Sequence, residues 1–255
     1  MNPFKLMRAY LILLVLCIVF FFSCSKKEDY QTEPLSAYVN LQPGKSITYR
    51  LDSTVTINFG NAMQVNSYLE KITIDAAVTD NLDRPSYRVF RAITDINGTG
   101  PWLQQGTLLY TLTNNSFEVV ENNFRYLKLT LPIKQDITWR GNRYLPTLPY
   151  YTKYEFSNDG NIAEWDYTYT ELDESVNFNG ATVPNVLTVV QIDDSTNYPV
   201  SVPAAYGSLN RSVEKYAKGI GLVYQELTML EYQPPSAPHP GYKGFGVKRS
   251  MVAHN

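Results

Sequence analysis

Glu164, Trp165 and Asp166 form the most enzyme-like cluster in the sequence. On an extended strand the two carboxylates would share a face with Cα atoms about 7 Å apart. Glycoside hydrolases use paired carboxyl groups roughly 5 to 9.5 Å apart. The wet face of a half-buried strand gives the same pattern, with Trp165 simply in the core, and that reading is preferred. Histidine is confined to His239, in a proline-rich loop, and His254, beside the end of the chain. A Ser-His-Asp triad needs an imidazole held by packing and oriented by a carboxylate, which neither position offers. A two-histidine metal site would require those two segments to meet. Calcium asks only for oxygen ligands, so Asp193-Asp194 and Asp80-Asn81-Asp83 are candidates, although acidic turn residues ordinarily just make turns. The expectation is a non-enzymatic protein with no catalytic residue, no metal and no cofactor.

Binding chemistry is better represented. The chain has 20 tyrosines, a residue that favours strands and also binding surfaces. Tyr144, Tyr150, Tyr151 and Tyr154 cluster in a segment interrupted by Pro146 and Pro149, and are the candidate ligand-binding residues. With Trp102, Trp139 and Trp165 they would line a face for a sugar or a lipid; alternatively the rings cover the ends of a sheet. There are 22 basic and 24 acidic residues, an even mixture that argues against a nucleic-acid partner.

The N-terminus reads as a processing signal. Lys5 and Arg8 precede an apolar run of 14 residues, Ala9 to Phe22, shorter than the roughly 20 a spanning helix needs. Ser23-Cys24 ends the run, and Ser25-Lys26-Lys27-Glu28-Asp29 is abruptly polar. Cys24 at this place resembles a bacterial lipobox, whose thiol takes a diacylglycerol; Phe21 and Phe22 depart from the usual residues before the cleavage site, as Bacteroidota lipoproteins often do. Residues 1–23 are then a lipoprotein signal peptide, 24–36 a lipidated cysteine and polar tether, and 37–255 one all-β domain; an uncleaved anchor is the alternative. Several acyl chains, at about 0.8 kcal/mol per buried methylene, hold a protein to a leaflet without a transmembrane helix. Ser25 is not the aspartate of an inner-membrane retention signal, which points to the outer membrane. Glu28-Asp29 faintly resembles a surface-export tag, so the periplasmic and cell-surface faces both stay open. The chain has two cysteines, Cys17 within the signal and Cys24, so the mature domain is expected to carry no disulfide and no cysteine chemistry.

Past the tether the pattern has period two. Ile47, Tyr49, Leu51, Val55, Ile57 and Phe59 share one parity and predict a long strand with one buried face. Tyr68 to Val78, Tyr87 to Ile93, Leu108 to Leu112, Phe117-Val119 and Arg125 to Ile133 continue the pattern between turns of Asn, Asp, Gly and Pro. Trp139 to Phe156 reads as a long ordered loop. Ala163 to Tyr169 is again a strand, Asn179-Gly180 is a strong hairpin signal, and Val186 to Ile192 forms the return strand. Ser195 to Leu209 is irregular, and Ile220 to Tyr224 and Phe245 to Met251 complete about ten or more strands. No convincing amphipathic helix interrupts them. The architecture expected is antiparallel, either an open curved barrel (half-barrel) or a two-layer β-sandwich.

Two stretches carry a resemblance. Val213-Glu214-Lys215-Tyr216-Ala217-Lys218-Gly219-Ile220-Gly221-Leu222-Val223-Tyr224 resembles the YAKGIGLV strand of bacterial envelope lipoproteins, and Gly44 to Ser53 resembles their opening strand. Together with the lipobox they look like an uncharacterised Bacteroidota lipoprotein family, with some relatives similar to half-barrel carriers of lipids or lipoproteins. The resemblance implies a membrane attachment through Cys24 and either a small amphipathic ligand or an envelope protein as partner. A surface protein that binds or hydrolyses glycans is the alternative.

Overall fold

The computed structural model describes residues 33–156, 158, 161–178 and 180–255. The expected signal peptide, Cys24 and most of the expected tether lie outside the described residues. Twelve strands are found among those described, and no α-helix. They are β1 (Ser46–Ile57), β2 (Ala62–Thr79), β3 (Pro85–Asp95), β4 (Leu103–Leu112), β5 (Ser116–Glu121) and β6 (Phe124–Thr130). The second half comprises β7 (Thr138–Arg140), β8 (Asp166–Phe178), β9 (Ala181–Thr196), β10 (Gly207–Ala217), β11 (Gly221–Gln233) and β12 (Gly241–His254). One antiparallel sheet holds all of them, in the order β6-β5-β4-β3-β2-β1-β12-β11-β10-β9-β8-β7. Each strand thus pairs with its sequence neighbours except at β6 and β7, which form the two edges, and the N- and C-terminal strands join at β1–β12. The sheet curls into a nearly closed barrel, the curved-barrel alternative of the sequence reading.

The seam lies between β6 and β7. An exposed strand edge leaves rows of unpaired backbone groups, and here aromatic side chains take the place of a ladder. Leu127 N–H donates to Gly141 O at 2.8 Å, and the Trp139 indole donates to Leu127 O at 2.9 Å. The Tyr169 hydroxyl donates to Thr130 O at 2.8 Å and accepts from Thr130 N–H at 3.0 Å. Trp139 and Tyr169 pack with ring centroids 4.6 Å apart. Gly141 lies against the Tyr167 ring so closely that a Cβ there would collide with it.

Val89, Leu129, Val186, Leu187 and Val189 are fully enclosed in the core, each worth about 1.5–3 kcal/mol relative to exposure. One end of the barrel is plugged by the first described segment: Leu35–Ala37 forms a 3-10 turn, Leu35, Tyr38 and Val39 are buried, and Gly219 N–H donates to Ala37 O at 2.7 Å. The opposite end carries the β1–β2, β3–β4, β9–β10 and β11–β12 connections and the described residues between β7 and β8.

Several details differ from the sequence expectation. Trp139 lies on the short strand β7 rather than in the long loop. Phe59 belongs to no buried face: Asn58, Phe59 and Gly60 all have positive φ, so the chain turns there and the Phe59 ring points fully into solvent. Glu164 is not on a strand with Asp166, because a 3-10 turn, Ile162–Glu164, precedes β8. The YAKGIGLV stretch is a hairpin rather than one strand. β10 ends at Ala217, Gly219 and Gly221 adopt φ of 78° and 117°, and β11 returns. The Asn179-Gly180 signal falls between β8 and β9, with Asn179 itself outside the described residues.

Candidate functional site

β10 turns a polar face inward: Ser208, Asn210, Ser212, Glu214 and Tyr216 are all buried. Burying a charge is costly unless it is paired and hydrogen-bonded, and the strands facing Glu214 supply its partners. Lys128 of β6 donates to Glu214 Oε1 at 2.6 Å, Gln225 of β11 donates to the same oxygen at 2.8 Å, and the Tyr216 hydroxyl donates to Oε2 at 2.7 Å. Gln225 in turn accepts from Arg249 of β12, which forms a two-pronged pair with Glu70 of β2. Arg91 of β3 lies 3.6 Å from Glu70 and donates to Glu121 of β5. The result is a belt across the barrel in which three cations, Arg91, Lys128 and Arg249, balance three carboxylates, Glu70, Glu121 and Glu214. Burial pushes the Glu214 carboxyl up, but Lys128 and its hydrogen bonds outweigh this and hold it below its ordinary value. Burial favours the neutral form of Arg249, yet Glu70 overcomes it and raises the guanidinium pKa.

The belt divides the interior. Toward the plug lies a small cavity of about 80 Å³ among Tyr38, Ile72, Ile74, Leu108, Phe117 and Val119. On the other side is a cavity of about 370 Å³, within the size range of small-molecule sites. Its aromatic wall is Tyr126, Tyr150, Tyr154, Trp165, Tyr167 and Phe245; its polar lining includes Asn142, Gln191, Ser212 and the belt residues other than Glu214; it reaches exposed residues at Gln105, Asn122 and Lys153. Arg91, Glu121 and Asn122 also line an outer concavity beside Gly106 and Thr107 of β4. In this region β4 pairs only with β3, because the ladder to β5 begins at Leu109.

The four candidate tyrosines separate. Tyr150 and Tyr154 line the larger cavity: the Tyr150 hydroxyl lies 2.8 Å from that of Tyr126, and Tyr154 stacks on Phe245 at 4.1 Å between centroids. Burial raises the Tyr150 phenol to about 12. Tyr144 and Tyr151 are exposed and line none of these cavities. Sequence reasoning passed over Tyr126, Tyr167 and Phe245, which complete the wall, and all of the belt. Their signal was available only as alternation, which cannot say which face of a strand looks inward.

The other candidates have local partners. Glu164 and Asp166 are exposed, and Asp166 pairs with Arg140 at 3.2 Å. Asp80 accepts from the amides of Leu82 and Arg84 at 2.8 and 3.0 Å and from the Arg84 guanidinium at 2.9 Å. Burial raises its pKa, but those bonds prevail and hold it at about 2, the signature of a structural turn. Asp193 pairs with Arg211. Among the described residues no three His, Cys, Asp or Glu side chains come together as a metal site.

No protein-family model matches this chain, and neither does any curated protein. Among solved structures it is similar to a Bacteroides fragilis protein of YmcC-like fold, named as exported, at 12% identity and a TM-score of 0.34, over 83% of this chain and 97% of that one. It is also similar to a DUF1329 family protein from Desulfovibrio piger, at 10% identity and a TM-score of 0.18, over 84% of this chain and 86% of that one. Both scores lie below 0.5.

Proposed function

We propose that this protein is a non-enzymatic, lipid-anchored envelope protein that holds an apolar or amphipathic ligand inside its barrel. The observation that carries the reading is the cavity of about 370 Å³ walled by aromatic rings and floored by a charge belt. Sites of this kind combine an apolar lining with a few polar groups that set orientation. The buried carboxylates support a binding role rather than a catalytic one. Glu70, Glu121 and Glu214 are each paired with a cation within the belt. Attachment through Cys24, at the end of the signal peptide, supplies the membrane address, and the outer membrane is the expected site.

Diphenylhexatriene, a hydrocarbon dye that fluoresces once removed from water, tests the reading. The sheet and core belong to one compact unit, residues 32–255, that buries its own apolar cluster, so this segment serves for solution work. Saturable uptake of one dye per barrel, displaced by a long-chain amphiphile, is expected. Absence of saturable uptake would remove the proposal.

A further inference from the structure

β9 and β10 pair with a fault in register. Ser212 faces Ile192 and Val213 faces Val190, which leaves Gln191 as the extra residue of a β-bulge. Bulges re-aim one side chain and concentrate beside functional sites. Here the bulge turns Gln191, only 5% exposed, into the lining of the larger cavity. Its Oε1 accepts from the Ser212 hydroxyl at 2.6 Å, while its Nε2 is buried without a partner. The polar neighbours in the same wall are satisfied: Asn142 donates to Ile162 O at 2.9 Å and accepts from the Tyr167 hydroxyl at 2.6 Å. Leaving a buried amide donor unmade costs about 1–3 kcal/mol, and an apolar side chain at this position would avoid that cost.

We infer that Gln191 Nε2 is the polar anchor of the ligand, and that the group it binds is an uncharged oxygen acceptor, a hydroxyl or an ester or amide carbonyl, on a molecule whose remainder is apolar. The inference rests on the binding role proposed above. The chemistry follows from the charges: the belt is balanced, three against three, and its cations already hold carboxylates. The lining's remaining cation, Lys153, is exposed at the mouth, so an anionic headgroup buried beside Gln191 would have to break one of those pairs, whereas a neutral acceptor takes the one side-chain donor left buried and unmade among the described residues. Tyr167 and Trp165 line the same cavity and supply apolar surface for the remainder of the ligand.

Mono-oleoylglycerol is the probe for a neutral acceptor, with oleate as its anionic counterpart, both titrated against bound diphenylhexatriene. Wild-type protein should bind mono-oleoylglycerol more tightly than oleate. Gln191→Met, which keeps the volume and removes the amide, should weaken mono-oleoylglycerol about three- to tenfold relative to the dye. Gln191→Glu keeps an acceptor for Ser212 and replaces the donor, so it should weaken the same probe while retaining the fold. Retained dye binding with unchanged mono-oleoylglycerol affinity in both variants would overturn the anchor, as would tighter binding of oleate. Loss of dye binding by the wild type would instead defeat the underlying binding role.

Discussion

Replacing Lys128 with methionine isolates the energetics of the charge belt. The lysine side chain is 11% exposed and that of Glu214 1% exposed, so neither can turn to water in place of the other. Methionine fills the same space without the ammonium, leaving Glu214 with the Tyr216 hydroxyl and the Gln225 amide as donors. Two neutral hydrogen bonds do not compensate a carboxylate removed from water, and breaking one side of a buried pair costs about 3–5 kcal/mol. Against a total stability of about 5–15 kcal/mol, that loss is large enough to read from urea denaturation of residues 32–255. The double variant Lys128→Met/Glu214→Gln removes both charges and should recover most of the loss. The single variant should also lose stability most steeply at neutral pH, where the orphaned carboxylate is ionised, and approach the wild type as pH falls and Glu214 protonates. A single-variant cost under about 1 kcal/mol, with no recovery in the double, would refute the belt as a coupled buried network.

Tyr169→Phe removes the hydroxyl that pairs with Thr130 at the seam; it should cost about 1–3 kcal/mol and speed hydrogen exchange at the Thr130 amide, and an unchanged exchange rate there would contradict the stapled seam. Phe59→Asn places a residue tolerant of positive φ where a fully exposed phenylalanine has φ of 57°; urea denaturation should show a gain of about 0.5–1 kcal/mol, since no packing is lost. Buried tyrosines make the fold sensitive to alkali. Burial raises Tyr150 to about 12 and holds Tyr49, Tyr167 and Tyr216 well above their ordinary value. Their contribution is complete below the ordinary tyrosine pKa of about 10 and is lost as pH rises through the folded values. Phenolate absorbance should therefore show a delayed, cooperative step that coincides with loss of near-ultraviolet circular dichroism, rather than smooth titration of all 20 tyrosines near pH 10.

Alternation made most of the sheet legible. Tyr49, Val89, Leu108, Phe117, Leu127 and Leu129 all sit on buried faces where their period of two had put them. The site itself was legible only in part, for a physical reason. A sequence of period two says which side chains share a face, and hydrophobicity is then used to decide which face is inside. β10 inverts that rule with Ser208, Asn210, Ser212 and Glu214 inward, so its first residues read as irregular chain. Gln191 was hidden for a related reason: a bulge moves one residue out of phase, and nothing in Val190-Gln191-Ile192 announces it. Within the tyrosine cluster, the turn that brings Tyr150 and Tyr154 onto Phe245 sends Tyr144 and Tyr151 outward. Spacing inside a loop without strand alternation carries no phase from which to tell them apart.

Native mass spectrometry on the protein purified from a bacterial envelope fraction tests the central claim most directly. A ligand-holding barrel predicts a reproducible added mass of lipid size at gentle collision energy. That mass should be non-covalent and lost on activation, and its chemistry should be neutral once extracted. A bare protein mass under conditions that preserve the fold would contradict the claim that the interior is a binding site.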